Sequence, residues 1–134
     1  MIHCGVLSAM ERLVAHLIEQ YGAAFPPWLA PVQVVVLPVA EPHAGPARGV
    51  TDRLRAAGLR AECDPADATL GARIRQARER RIPYIAVIGD REDAGGLVAL
   101  RLRDGRRLDG IGVDQLVSEV SRQVADRSAD LGFR

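Results

Sequence analysis

Residues 84–88, Tyr-Ile-Ala-Val-Ile, form an apolar run that starts after Pro83 and stops at Gly89-Asp90. Alternation would mark a strand with one wet face. An unbroken run of strand length instead marks a strand buried on both faces, as in sheets covered by a layer on each side. The stretch 32–39, Val-Gln-Val-Val-Val-Leu-Pro-Val, has the same character and ends at Pro38. Two such strands call for an α/β architecture with helices on the faces of a sheet. Ligands of open α/β sheets lie at the carboxyl edge, and there the central run delivers Asp90, Arg91 and Glu92.

A chain of 134 residues is one domain's worth, with room for a short N-terminal appendage. Its 48% apolar and 26% charged content is globular, and no apolar run approaches the roughly 18 residues of a membrane helix. A basic leader region is missing from the first ten residues, and Glu11-Arg12 interrupts the pattern too early for a signal peptide. Cys4 and Cys63 lie far apart without metal-type spacing and read as reduced thiols of a cytoplasmic protein. The net charge is only +1, so the molecule as a whole is not a basic glove for nucleic acid. All 18 basic residues are arginine, concentrated at 73–81 and 101–107, while the C-terminal segment leans acidic. This distribution predicts a bipolar surface.

Along the chain, Met10, Leu13, Val14, Leu17, Ile18 and Tyr21 make the stripe of an amphipathic helix over 8–21, with Ser8 and Glu11 as a capping box and Gly22 as its end. Three prolines in 23–31 exclude regular structure and predict a stiff linker anchored through Phe25, Trp28 and Leu29. After the strand at 32–39, a loop at 41–45 leads to a helix with Pro46 in its first turn. Val50, Leu54 and Ala57 line that helix and Gly58 closes it. A short strand at 59–63, a loop at 64–68 and a helix at 69–80 precede the central strand. Asp93-Ala94-Gly95-Gly96 reads as a turn, and 97–103 alternates as a strand. Asp104-Gly105 signals a hairpin into a return strand from Arg106, and a last helix carries Val113, Leu116, Val117, Val120 and Val124. Residues beyond about 126 are expected to fray. The order is a helix, then β-α-β-α-β-β-β-α.

No nucleophile constellation, phosphate-binding glycine loop or metal-ligand spacing is present in the sequence, so no independent enzyme, metal or cofactor is expected. The arginines of 69–81 fit a solvated face as well as an RNA-binding one. Asp67 fits a helix N-cap as well as a binding role. Gly89-Asp90-Arg91-Glu92 fits a turn with ion-pairing groups.

Taken together, the segments Ser8-Ala9-Met10-Glu11-Arg12, 25–34 (Phe-Pro-Pro-Trp-Leu-Ala-Pro-Val-Gln-Val), Leu70-Gly71-Ala72-Arg73-Ile74-Arg75, Ile82-Pro83-Tyr84 and Gly89-Asp90-Arg91-Glu92 resemble the C-terminal end of threonyl-tRNA synthetase, over nearly the whole chain. The resemblance implies residues 1–30 as a remnant of the class II catalytic motif 3 helix plus linker, and 31–134 as an anticodon-binding domain. Its fold would be a mixed five-stranded sheet flanked by three helices, preceded by the N-terminal amphipathic helix. It implies Glu92 and Arg101 as readers of the anticodon bases G and U. A carboxylate accepts from the amino and imino edge of guanine, and an arginine fork donates to carbonyl or N7 acceptors.

Asp67 stands where the family has an asparagine that helps read the anticodon. An aspartate does not donate as the amide does and repels phosphate, so anticodon affinity is expected to be weakened or retargeted. Arg73, Arg75 and Arg103 are candidate phosphate contacts. His3 and Arg12 align with zinc- and ATP-contacting residues of the catalytic body. Their partner ligands fall outside this sequence, so neither is assigned activity. The expected function is a free-standing anticodon-binding domain that binds threonine tRNA without aminoacylation. The alternative is a protein-interaction module, with a homodimer or a synthetase partner covering the N-terminal helix.

Overall fold

A computed structural model describes residue 5 and residues 9–133. The readings of His3, Cys4 and Ser8 fall outside the described residues. Helix α1 spans Met10–Tyr21, with Ala9 at the N-cap and no side-chain cap, and Gly22 ends it in the left-handed conformation, at φ 57°. The sheet strands are β1 (Val34–Pro38), β2 (Ala61–Cys63), β3 (Tyr84–Ile88), β4 (Leu97–Leu102) and β5 (Arg107–Gly112). Helices α2 (Ala44–Ala56), α3 (Leu70–Glu79) and α4 (Asp90–Gly95) join β1 to β4 in turn, and α5 (Val113–Ala125) follows β5.

The five-stranded sheet has the order β2-β1-β3-β4-β5. β1 runs parallel to both β2 and β3, while β4 is antiparallel to β3 and to β5. The expected mixed sheet is thus observed, with β3 at its centre and all five of its residues buried. Alternating residues of β1 and β3 feed two cores. On one face Val34, Val36, Ala86 and Ile88 pack with Leu54 of α2 and Leu116 of α5. On the other, Val35, Leu37, Ile85 and Val87 pack with Ile74 and Ala77 of α3. Sequence pattern and layer count agree because a strand buried twice needs a cover on each side.

The linker is held mainly through its backbone. Arg60 donates from Nε to the Ala30 carbonyl at 2.9 Å and from Nη2 to the Trp28 carbonyl at 3.0 Å. The fully buried Gln33 donates to the Pro27 carbonyl at 2.9 Å and accepts from the Arg60 N–H at 2.8 Å. The Arg127 guanidinium lies 5.9 Å from the centre of the Trp28 ring.

Four local expectations are corrected. Residues 93–96 are not a simple turn: α4 occupies Asp90–Gly95, and Gly96 at φ 62° is its left-handed C-cap, so the glycine pair marks a helix end. The loop at 41–45 contains a 3₁₀ turn, Glu41–His43, and α2 begins two residues before Pro46. Ala57 follows α2 as its exposed C-cap and does not share the buried face of Val50 and Leu54.

The tail does not fray at 126. Its sequence lacks periodicity, but specific bonds hold it. The Tyr84 hydroxyl donates to the Leu131 carbonyl at 2.8 Å. Arg106 Nη1 donates to the carbonyls of Gly132 and Phe133 at 3.0 and 3.1 Å, and the Phe133 ring meets Tyr84 edge-on. Burial pushes the Tyr84 phenol well above its usual range, keeping it a donor. Tyr84→Phe should therefore cost about 1–2 kcal/mol in urea unfolding, because the Leu131 carbonyl loses its buried partner. A midpoint equal to wild type would show the tail to be unsupported by this bond.

Candidate nucleic-acid interface

The parallel strands β1, β2 and β3 end at one edge of the sheet, and the turn at 39–43, the loop at 64–69 and helix α4 follow them there. The chain leaves β1 for α2 on one face and β2 for α3 on the other, so this edge contains a switch point of the kind that accepts ligands. The two faces are covered unequally. α2 and α5 pack along one face, reaching β4 through Leu116 and Val120 beside Leu100 and Leu102. On the opposite face α3 lies over β1 and β3, and of β4 only Ala99 joins that core. The burial of β4 alternates accordingly: Val98, Leu100 and Leu102 are buried, while Leu97, Ala99 and Arg101 are half-exposed.

Arg101 stands on this open face, in register with Ile85 of β3 and Arg107 of β5. Burial lowers its pKa first, and the positive charges of Arg107 and Arg78 lower it further, with Asp109 opposing. Arg78 and Arg107 thus add their positive charge around Arg101, an arrangement that an anion relieves. The hairpin 102–106 sets the register, with Leu102 N–H bonded to the Arg106 carbonyl at 2.9 Å. A bulge between Val98 and Leu100 follows further along β4, with Gly110 at φ 70°.

Glu92 is half-buried in α4, and its Oε2 accepts the Gly89 N–H at 3.1 Å, capping the helix with its own side chain. With Arg91, Leu97, Asp109 and Gly110 it lines a cavity of about 290 Å³. Asp109 therefore both borders the Glu92 cavity and acts on Arg101, linking the two along one surface. From Leu97 to Arg101 the strand rises roughly 13 Å.

Asp67 and Arg75 are exposed, in the 64–69 loop and on α3. Asp67 is not the N-cap of α3. Thr69 takes that place, its hydroxyl accepting the Ala72 N–H at 3.3 Å. Burial first, and then the charge of Asp67, raise the Asp64 carboxyl, with Arg73 opposing them.

Two candidate phosphate contacts, Arg73 and Arg103, have backbone partners within the fold. Arg73 is 2% exposed, donates from Nε to the Ala68 carbonyl at 3.0 Å and from Nη2 to the Val39 carbonyl at 3.3 Å, and faces Asp64 at 3.6 Å. It braces the loops of the carboxyl edge from inside. Arg103 donates from Nη1 to the Phe25 carbonyl at 2.7 Å and to the Arg81 carbonyl at 3.2 Å, tying the linker to the sheet. Arg78 and Arg107 lie in the arginine-rich segments 73–81 and 101–107 but are not among the candidate contacts named from the sequence. The signal for Arg107 was available, since a hairpin centred on Asp104 sets it opposite Arg101.

Among the described residues, no group of three or more His, Cys, Asp or Glu could hold a metal ion, and no helix is long and apolar enough to cross a membrane. Cys63 is a free thiol.

The model of the anticodon binding domain family matches residues 33–123. The chain belongs to that family. It is 46% identical over 125 residues to a threonine–tRNA ligase of Listeria monocytogenes, covering 92% of this chain and 20% of that protein. It is 41% identical over 127 residues to the Nocardioides sp. ligase, covering 95% and 19%. The chain thus spans about a fifth of the length of these curated relatives. The crystal structure of the RNA binding domain of threonyl-tRNA synthetase from Cryptosporidium parvum superposes with TM-score 0.81 at 31% identity, over 88% of this chain and 30% of that one. A prolyl-tRNA synthetase from the same organism shares the fold at 23% identity and TM-score 0.66, over 76% of this chain and 23% of that one. This is an anticodon-binding domain of the threonyl-tRNA synthetase type.

Arg73 separates bracing from binding. Arg73→Met should lower unfolding stability by about 3 kcal/mol and leave the salt slope of RNA binding unchanged. A slope reduced by about one, with stability intact, would restore Arg73 as a phosphate contact.

Proposed function

We propose that this chain binds tRNA across the open face of β4 and β5 and reads the anticodon loop of a threonine tRNA. Glu92 and Arg101 take bases, while Arg75, Arg78 and Arg107 neutralise phosphates. The observation that carries this reading is the cationic cluster around Arg101 on a sheet face that α3 leaves uncovered, joined through Asp109 to the cavity of Glu92. The cluster supplies affinity and the two reading groups supply discrimination, because phosphate contacts position a nucleic acid and base contacts specify it. Asp67 at the loop exposes an acceptor without a donor, which favours a weaker or shifted preference at that position. The domain acts by binding alone, in a cytoplasmic setting, with no aminoacylation by its own residues.

A second reading, as an interaction module, is favoured by α1. Met10 is 70% exposed and Val14 and Ile18 are each 44% exposed, on one stripe of the helix. The relatives match nearly all of this chain and carry four-fifths of their length beyond the match, so the occupant of that stripe is a synthetase body. Light scattering of the purified chain alone and mixed with a threonyl-tRNA synthetase checks this. A mixed complex supports it, whereas two non-interacting species, or a homodimer that excludes the synthetase, counts against it.

The tRNA-binding reading is tested by paired variants. Arg101→Gln should cost roughly 1–3 kcal/mol with a threonine tRNA and much less with a tRNA of altered anticodon. Arg107→Gln should weaken both tRNAs equally and reduce the salt slope by about one. Equal losses for both tRNAs in Arg101→Gln would make that residue a phosphate contact and remove the base-reading assignment.

A further inference from the structure

Glu92 sits on a helix of six residues, too short to hold its geometry by its own hydrogen bonds. Beyond the cap that Glu92 makes to Gly89, its position depends on contacts from outside the helix. The neighbouring seam runs from the end of β1 to the start of α4. The Val39 N–H donates to the Ile88 carbonyl at 2.9 Å, and a side chain at Gly89 would meet Val39 Cγ2 at 3.1 Å, so the strand ends are closely apposed. Beyond that apposition the His43 side chain spans the seam. His43, 6% exposed, accepts the Ala40 N–H on Nδ1 at 3.3 Å, which leaves Nε2 to carry the proton. Nε2 lies 2.9 Å from Asp90 Oδ1, across 47 residues of sequence. The ring is held on the buried side and Asp90 opens α4 on the exposed side, two residues before Glu92.

We propose that His43 is a positioning residue for Glu92. By donating to Asp90 it fixes α4 against the β1–α2 turn and so sets where the Glu92 carboxylate meets a base. This rests on the anticodon-reading function proposed above, and nothing in the family match or in the named relatives assigns a role to His43.

The test uses His43→Phe, which keeps the ring volume and removes both bonds, and His43→Gln, whose amide keeps a donor at the Nε2 position. Asp90→Ala removes the acceptor from the surface and serves if the ring substitution impairs folding. Amide hydrogen exchange and tRNA discrimination are read together. In His43→Phe and Asp90→Ala, exchange at Gly89 and α4 should quicken roughly three- to fivefold, with the Leu131 tail unchanged. The affinity ratio between threonine tRNA and its altered-anticodon partner should fall by a similar factor at constant salt slope, and His43→Gln should restore most of both. Unchanged exchange at Gly89 overturns the positioning role whatever the tRNA does. Faster exchange with undiminished discrimination, or an equal loss for both tRNAs, overturns the link to Glu92. A wild-type chain that does not discriminate fails the anticodon reading itself and with it that link, while the exchange data still decide the His43–Asp90 tie.

Discussion

Five consecutive buried residues in β3 require apolar cover above and below the centre of the sheet, and the rest of the molecule meets that requirement with unequal layers. α2 and α5 together close one face as far as β4, and their apolar residues join Val98, Leu100 and Leu102. The single helix α3 closes the other face over β1 and β3 only. The uncovered half of that face is therefore a consequence of the topology: the chain crosses over twice in its parallel half, β4 and β5 return as a hairpin, and α5 after them packs on the α2 face.

That open half is where the charged side chains gather. A solvated sheet face tolerates arginines, and the hairpin register sets Arg101 against Arg107 while α3 contributes Arg78. The parallel strands deliver their loops to the adjoining edge, where Glu92 is held by its own cap to Gly89. The interior of this edge is polar as well. Buried Arg73 spans the Val39 and Ala68 carbonyls, so the loops that frame the site are tied to α3. Arginine serves both purposes here: buried, its fixed fork satisfies several carbonyls, and exposed, it offers charge to phosphate.

Much of this was legible in the sequence. The twice-buried strands at 34–38 and 84–88 declared the α/β class, Asp104-Gly105 declared the hairpin, and the stripes of α1, α2, α3 and α5 lay close to where they were read. Glu92 and Arg101 were singled out through resemblance, and their placement beside Asp109 came only with the structure. What stayed hidden depends on contacts distant in the chain. An arginine in a helical run looks solvated until its neighbours in space are known, so Arg73 read as a phosphate contact although it is buried. The tail at 127–133 has no periodicity, and its order comes from Tyr84, Arg106 and Glu119 elsewhere in the fold. Helix α4 was masked by its own glycine cap.

The central claim is that the open face of β4 and β5 reads an anticodon rather than merely attracting RNA. The most direct measurement is the affinity of the purified chain for a threonine tRNA transcript and for the same transcript with a changed anticodon, at two salt concentrations. The account predicts that changing the anticodon weakens binding at both salts, while raising salt weakens both transcripts in parallel, because base contacts and phosphate contacts are separate contributions. Equal affinity for the two transcripts at low salt, abolished for both at moderate salt, would contradict it and leave only unspecific attraction to arginine.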